Sequence, residues 1–270
     1  MPPVDAAARE AFARDGFVVL KGVLDRARID ALVAAGDALI ASDEPFYRDR
    51  EDGADGFRHL VELDPAFRPL IAEPRVLAFA LDVLGTNIHF SSSHLSHLQP
   101  RANRDGWKSH WHTDVWGVED DLGSDGMVRL GLKCCYFLTD HEAGETGATM
   151  VVPGSHLLRE RLVIPPGAMN PVDATEPTLA AGDCLVFDLR LRHSVGINLS
   201  AATRKSILVG YSYRWVIPLD EPSDPDGLRD ELDPVAADLI PRAYRVPQSG
   251  ALLEFAQREG IPARPTRRIP

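Results

Sequence analysis

Cysteine is scarce in this 270-residue chain, which holds only Cys134, Cys135 and Cys184. Three thiols cannot build a disulfide framework, and the lack of any CxxC pair argues against a thiolate zinc site. Positive charge is also in deficit: 29 Lys and Arg face 40 Asp and Glu, a formal net charge of −11. A field of that sign repels phosphate backbones and anionic membranes, so neither nucleic acid nor a membrane is the expected partner. No run approaches the ~18 apolar residues that span a bilayer. The opening MPPVDAAAREAFARDGF carries acidic residues and no apolar core of signal-peptide length, and the cytoplasm is the expected compartment. Internal repeats and low-complexity tracts are missing too. One domain over residues 1–270 is the expectation.

The texture of the chain changes along its length. Residues 1–86 read as a helical section. An Ala-rich helix over 5–14 ends near Asp15-Gly16, and FVVLKGVL (17–24) reads as a buried strand. Asp25 is placed to cap a helix over 26–41, in which Ile29, Leu32, Val33 and Ile40 recur at helical spacing. The charged, Gly-containing stretch 49–56 reads as a mobile loop. A further helix over 74–84 opens at Pro74 and stops at Gly85. From 87 to 217 short strand-like runs alternate with turn-rich pieces, which suggests a sandwich or barrel. In LGLKCCYFLT the adjacent Cys134 and Cys135 should point to opposite faces. The tail, 218–270, is rich in Pro and Asp, with helical patterns near 231–246 and 250–259.

The most informative segment is His110-Trp111-His112-Thr113-Asp114. In a strand, residues two apart share a face, so His112 and Asp114 can offer an imidazole nitrogen and a carboxylate oxygen to one point. Downstream, the turn Ala181-Gly182-Asp183 leads into an apolar strand that ends in His193, and Arg204 opens the next. Two histidines and one carboxylate on one metal face leave the opposite face open, as in non-haem Fe(II) oxygenases; a structural zinc site would close its shell. Arg204 has its own logic. A guanidinium forks onto a carboxylate with two parallel hydrogen bonds, which suits the far end of a small dicarboxylate chelated to the metal.

These pieces together resemble the phytanoyl-CoA dioxygenase family of iron(II)/2-oxoglutarate oxygenases. The resemblance covers most of the chain: FARDGFVVLKGVLD (12–25), WHTD (111–114), LTDHEAGETGATMVVPGSH (138–156), then His193 and Arg204. It implies a mostly β fold with flanking helices, a double-stranded β-helix (jelly roll, cupin-like). It implies His112, Asp114 and His193 as ligands of Fe(II), and Arg204 as partner of the distal carboxylate of 2-oxoglutarate. It also implies cosubstrate contacts from His97, then Gln99, in SSSHLSHLQP (91–100), and from Asn198. Relatives that halogenate replace the carboxylate ligand with a small residue, so Asp114 points to oxygen chemistry. O₂ would be consumed, succinate and CO₂ released, and hydrogen abstracted from a small-molecule substrate, giving hydroxylation, epimerisation, cyclisation or desaturation.

Other readings remain open. His110 is a rival ligand on the same strand face. A cupin-type isomerase or hydrolase would use His110, His112 and His193 and need neither Arg204 nor 2-oxoglutarate, and a pure binding module would tolerate loss of Asp114. His141 and His156 read as structural, and Trp107, Trp111 and Trp116 as core or pocket residues. Loops 48–57, 101–109, 115–128 and 165–177 should set specificity, with the tail as a lid. The acidic balance disfavours a coenzyme-A thioester and leaves a natural-product intermediate as the expected substrate, handled by a monomer or homodimer.

Overall fold

The computed structural model describes residues 5–44, 47–49, 53–115, 118, 128–141, 144–158 and 162–241. Helix α1 (Ala6–Asp15) starts where the Asp5 carboxylate accepts the Ala7 N–H. It stops at Gly16, whose φ of 82° lets its N–H turn back to the Phe12 carbonyl. A side chain at Gly16 would also strike His156, 2.4 Å from the position of a Cβ. Strand β1 (Phe17–Leu20) follows, then α2 (Arg26–Ala41), capped as expected by Asp25, which accepts from the Arg28 N–H. Strands β2 (Arg48–Asp49) and β3 (Ala54–Arg58) precede α3 (Leu60–Leu63), a 3-10 segment over Pro65–Ala72, and α4 (Pro74–Leu84). Helix α4 spans its expected range, with Glu73 accepting the first N–H groups and Gly85 closing it.

The remaining strands are β4 (Ile88–Leu98), β5 (Gly131–Phe137), β6 (Thr149–Val151), β7 (Cys184–Asp188), β8 (His193–Val195) and β9 (Arg204–Tyr213). Of the nine strands among the described residues, seven form one antiparallel sheet in the order β1-β7-β5-β9-β4-β3-β2; β6 and β8 form a second, two-stranded sheet. Isolated bridges His112↔His193, Thr146↔Asn198, Val151↔Thr175 and His141↔Leu179 extend the small sheet through its connecting segments. This is the jelly roll.

Strand alternation divides the core in two. Cys134, Tyr136, Val186, Ile207, Val209 and Tyr211 pack with the helices on the outer face of the large sheet. Cys135, Phe137, Leu185 and Phe187 pack inward with Ala148, Val151, Leu179 and Leu191. The two adjacent cysteines therefore serve opposite cores, as their positions in the strand require. All three thiols are buried and free.

Three expectations need correction. Of the stretch 49–56, residues 50–52 lie outside the described residues, Asp49 belongs to β2 and Ala54–Gly56 to β3, and β3 pairs along β4 from Ala54↔Leu98 to Arg58↔His94. Its Gly56 serves close strand approach, since a Cβ there would lie 1.9 Å from the Leu95 carbonyl oxygen. Second, His193 does not end the apolar strand. Strand β7 stops at Asp188, the chain turns, and His193 opens β8 in the other sheet. Third, the tail opens with α5 (Pro225–Asp230), which precedes the helical pattern expected near 231–246; that pattern contains α6 (Pro234–Leu239), and residues 242–246 lie outside the described residues. Leu228, Ala236, Leu239 and Ile240 join the outer core, so the tail as far as residue 241 lies on the helix layer and not over the barrel interior. The 250–259 pattern lies outside the described residues.

The turn between β7 and β8 is held by one buried carboxylate. Asp188 is fully buried and accepts from the Arg129 guanidinium and from the Arg190 side chain and backbone N–H. Burial pushes its carboxyl pKa up, but these bonds outweigh burial and hold it below the ordinary value. A depressed carboxyl contributes stability above its unfolded pKa and loses it as pH falls through the folded one. Asp188→Ala is expected to cost about 3 kcal/mol at neutral pH by stranding two cations. In urea unfolding, the gap from wild type should narrow below pH ~4.

Candidate metal centre

Reciprocal backbone hydrogen bonds set the first two groups. His112 N–H donates to the His193 carbonyl and His193 N–H to that of His112, each at 3.0 Å. The two residues therefore sit directly opposite one another, with ring centroids 4.3 Å apart. Each imidazole also donates from Nδ1 to the carbonyl two residues earlier: His112 to His110 at 2.8 Å, His193 to Leu191 at 2.9 Å. That bond fixes the tautomer and leaves each Nε2 lone pair free to accept a metal.

Asp114 completes the set from a turn. Its N–H donates to the Leu189 carbonyl at 2.8 Å. Its Oδ1 then lies 3.7 Å from His112 Nε2 and 3.7 Å from His193 Nε2. So the HxD pair converges, although Asp114 sits in a turn and not in a regular strand. One ligand atom from each of His112, Asp114 and His193 falls within 4.8 Å of the others, the separation that one metal ion spans. The donor set, two imidazoles and a carboxylate joined by no fourth His, Cys, Asp or Glu among the described residues, suits a redox-active divalent metal better than a closed structural zinc. His110 is not in this cluster.

Burial grades the three. The His193 side chain is 8% exposed and that of His112 43%, so the set opens outward past His112. Burial, aided by His112 and Lys133 against the opposing pull of Asp114, lowers the His193 pKa to about 4, keeping the ring neutral. Burial acts upward on Asp114, but Lys133, His193 and His112 outweigh it, and the carboxyl stays below its ordinary value.

Arg204 enters the same interior from the start of β9. It is 3% exposed, its Nε is buried without a hydrogen-bond partner, and its one described hydrogen bond goes to the Ser206 hydroxyl. No carboxylate among the described residues pairs with it. Burial alone lowers its pKa, and a buried unpaired guanidinium is costly unless an anion completes it.

The remaining expected contacts are not brought to the centre. His97 points to the other face of β4 and lies against α2, its Nε2 3.4 Å from where a Gly36 Cβ would sit. Gln99 accepts from the Thr203 hydroxyl at the surface. Asn198 is buried, but its amide ties its own loop, donating to the Leu98 and Ala202 carbonyls and accepting from Ser200. The parity of β4 instead turns His94 and Ser96 inward. Burial first, then Arg58, Lys133 and Arg204, lowers the His94 pKa to about 3. Lys133 was not singled out by its sequence position, although a lysine in the otherwise apolar LGLKCCYF, two before Cys135, is a signal that inward parity would have made useful. His141 bridges the Thr139 and Thr146 hydroxyls, and His156 packs on the end of α1, both structural. Trp111 and Ser109 both donate to the Asn170 side chain, which ties the 101–111 and 165–171 loops. Trp116 lies outside the described residues.

With fold and site in view, comparison places the chain. The profile of the phytanoyl-CoA dioxygenase (PhyH) family matches residues 12–206. The chain belongs to this family of Fe(II)/2-oxoglutarate-dependent dioxygenases. It is 24% identical over 234 residues to the ectoine dioxygenase of Bordetella parapertussis, covering 75% of this chain and 73% of that one. In fold it is similar to HygX from Streptomyces hygroscopicus, solved with nickel and 2-oxoglutarate, at a TM-score of 0.66 and 18% identity over 83% of this chain and 94% of that one. It is likewise similar to the epimerase SnoN from nogalamycin biosynthesis, at a TM-score of 0.60 and 23% identity over 77% and 82%.

His112→Ala and Asp114→Ala are each expected to abolish binding of one Fe(II) per chain while leaving the circular dichroism spectrum unchanged. His110→Ala should retain the metal; loss of iron in that variant alone would make His110 the ligand.

Proposed function

We propose that the protein holds Fe(II) through His112, Asp114 and His193, anchors 2-oxoglutarate on Arg204, and oxidises an unactivated C–H of a small organic substrate. The outcome is hydroxylation or, by the same hydrogen abstraction, epimerisation, cyclisation or desaturation. The observation that carries this reading is Arg204: a buried guanidinium without a carboxylate partner among the described residues, on the same interior as a three-donor set.

Iron with bound 2-oxoglutarate supplies oxidation by O₂, with release of succinate and CO₂. The chain's own residues do the positioning. His110 and Leu191 carbonyls hold the imidazoles in the tautomer that leaves Nε2 bare. Ser206 orients the Arg204 guanidinium so that its other N–H groups are free for a carboxylate. The exposed edge of His112 marks the side from which substrate arrives, beneath the loops joined at Asn170. The relatives support the same chemistry: one is named an ectoine dioxygenase, and SnoN was solved with Fe3+, alpha ketoglutarate and nogalamycin RO. That epimerase supports a secondary-metabolite intermediate as substrate. The net charge of −11 supports a small molecule over nucleic acid, and no described helix is long and apolar enough to cross a membrane. We place the working enzyme, as monomer or homodimer, in the cytoplasm.

Anaerobic addition of 2-oxoglutarate to the Fe(II)-loaded protein should produce the weak visible charge-transfer band of the chelate. Arg204→Gln should keep iron and raise the 2-oxoglutarate concentration needed by roughly 30-fold or more, the loss expected when one partner of a buried charge pair is removed. Iron binding without any response to 2-oxoglutarate would point to a cupin of another kind.

A further inference from the structure

The two oxygens of Asp114 have different surroundings. Oδ1 faces both imidazoles, 3.7 Å from each Nε2. Oδ2 is buried and within normal hydrogen-bond length of no donor among the described residues; Lys133 Nζ lies 3.6 Å from it. Lys133 comes from the inward face of β5, where Phe187 and Gly210 are its cross-strand neighbours. Phe187 in turn lies 4.6 Å, centroid to centroid, from the His193 ring. The ammonium is thus delivered along the same wall that supports the second histidine. Lys133 is only 9% exposed, and Asp114 is the one carboxylate among the described residues within ion-pair distance of it.

A carboxylate beside a divalent metal can ligate through one oxygen or through both. Ligation through both would fill one of the positions that the chelating cosubstrate and O₂ need. A fixed cation on the far oxygen competes with the metal for it, and in a buried site that competition is weakly screened.

We propose that Lys133 is a positioning residue: it holds Oδ2 of Asp114 so that the carboxylate offers Oδ1 alone to the metal and the opposite face stays open. This rests on the reading of His112, Asp114 and His193 as the metal site, and it assigns Lys133 a task besides filling the strand.

Manganese(II) separates the two claims, because water-proton relaxation counts the exchangeable waters on the bound ion. Wild-type protein, Lys133→Met and Lys133→Gln would be loaded anaerobically with Mn(II) alone and compared. Failure of wild type to bind Mn(II) would reject the triad itself. If wild type binds, the proposal expects both variants to bind one ion and lose about one third of the bound-water relaxation, one of three open positions having been taken by Oδ2. Met matches the length of the lysine stem, and Gln serves if Met does not give folded protein. Wild-type relaxation in a folded, metal-loaded variant would overturn the role of Lys133 and leave the triad standing.

Discussion

The site depends on one pair of backbone hydrogen bonds. His112 and His193 lie far apart in sequence and belong to segments with little regular structure of their own. Their reciprocal N–H to carbonyl bonds fix the two Cα positions, and the turn that follows places Asp114. Side-chain bonds from each Nδ1 to a neighbouring carbonyl then settle ring orientation and tautomer together. Few degrees of freedom remain among the three donors, which is how a protein holds such a set poised.

Around that pair the interior concentrates charge. Lys133 and Asp114 face one another, Arg204 stands without a carboxylate among the described residues, and His94 is held neutral by burial beside them. An arrangement of this kind is expensive for folding, since an unpaired buried guanidinium costs desolvation that nothing in the described chain repays. Its retention makes sense when an anion from outside completes it. The packed outer core of Tyr136, Tyr211 and the helix residues carries the stability.

Local signals in the sequence were strong where a backbone requirement and a side chain coincide. Asp25 caps α2, Gly16 and Gly85 end their helices, and the periodicity between them fixes α2 and α4. The glycines of 49–56 misled, because Gly56 marks close approach between β3 and β4 and not flexibility. The clustering of His112, Asp114 and His193 was legible from the joint pattern, since a pair two apart and a distant histidine carry chemical meaning together. The facing of β4 was not. Strand parity is binary, so choosing His97 and Gln99 turned the wrong side of β4 inward, and a register shift between Phe90 and Ser92 removes the simple count from the start of that strand. Lys133 escaped notice for a related reason: within an apolar strand its importance follows from which face is interior, which only the assembled sheets decide.

X-ray absorption of the anaerobic Fe(II)-loaded protein decides the ligand set, because multiple scattering from imidazole rings counts the histidines on the metal. Two histidines are expected, with the remaining light-atom ligands oxygen. A shell with three imidazoles, or with none, would contradict that set.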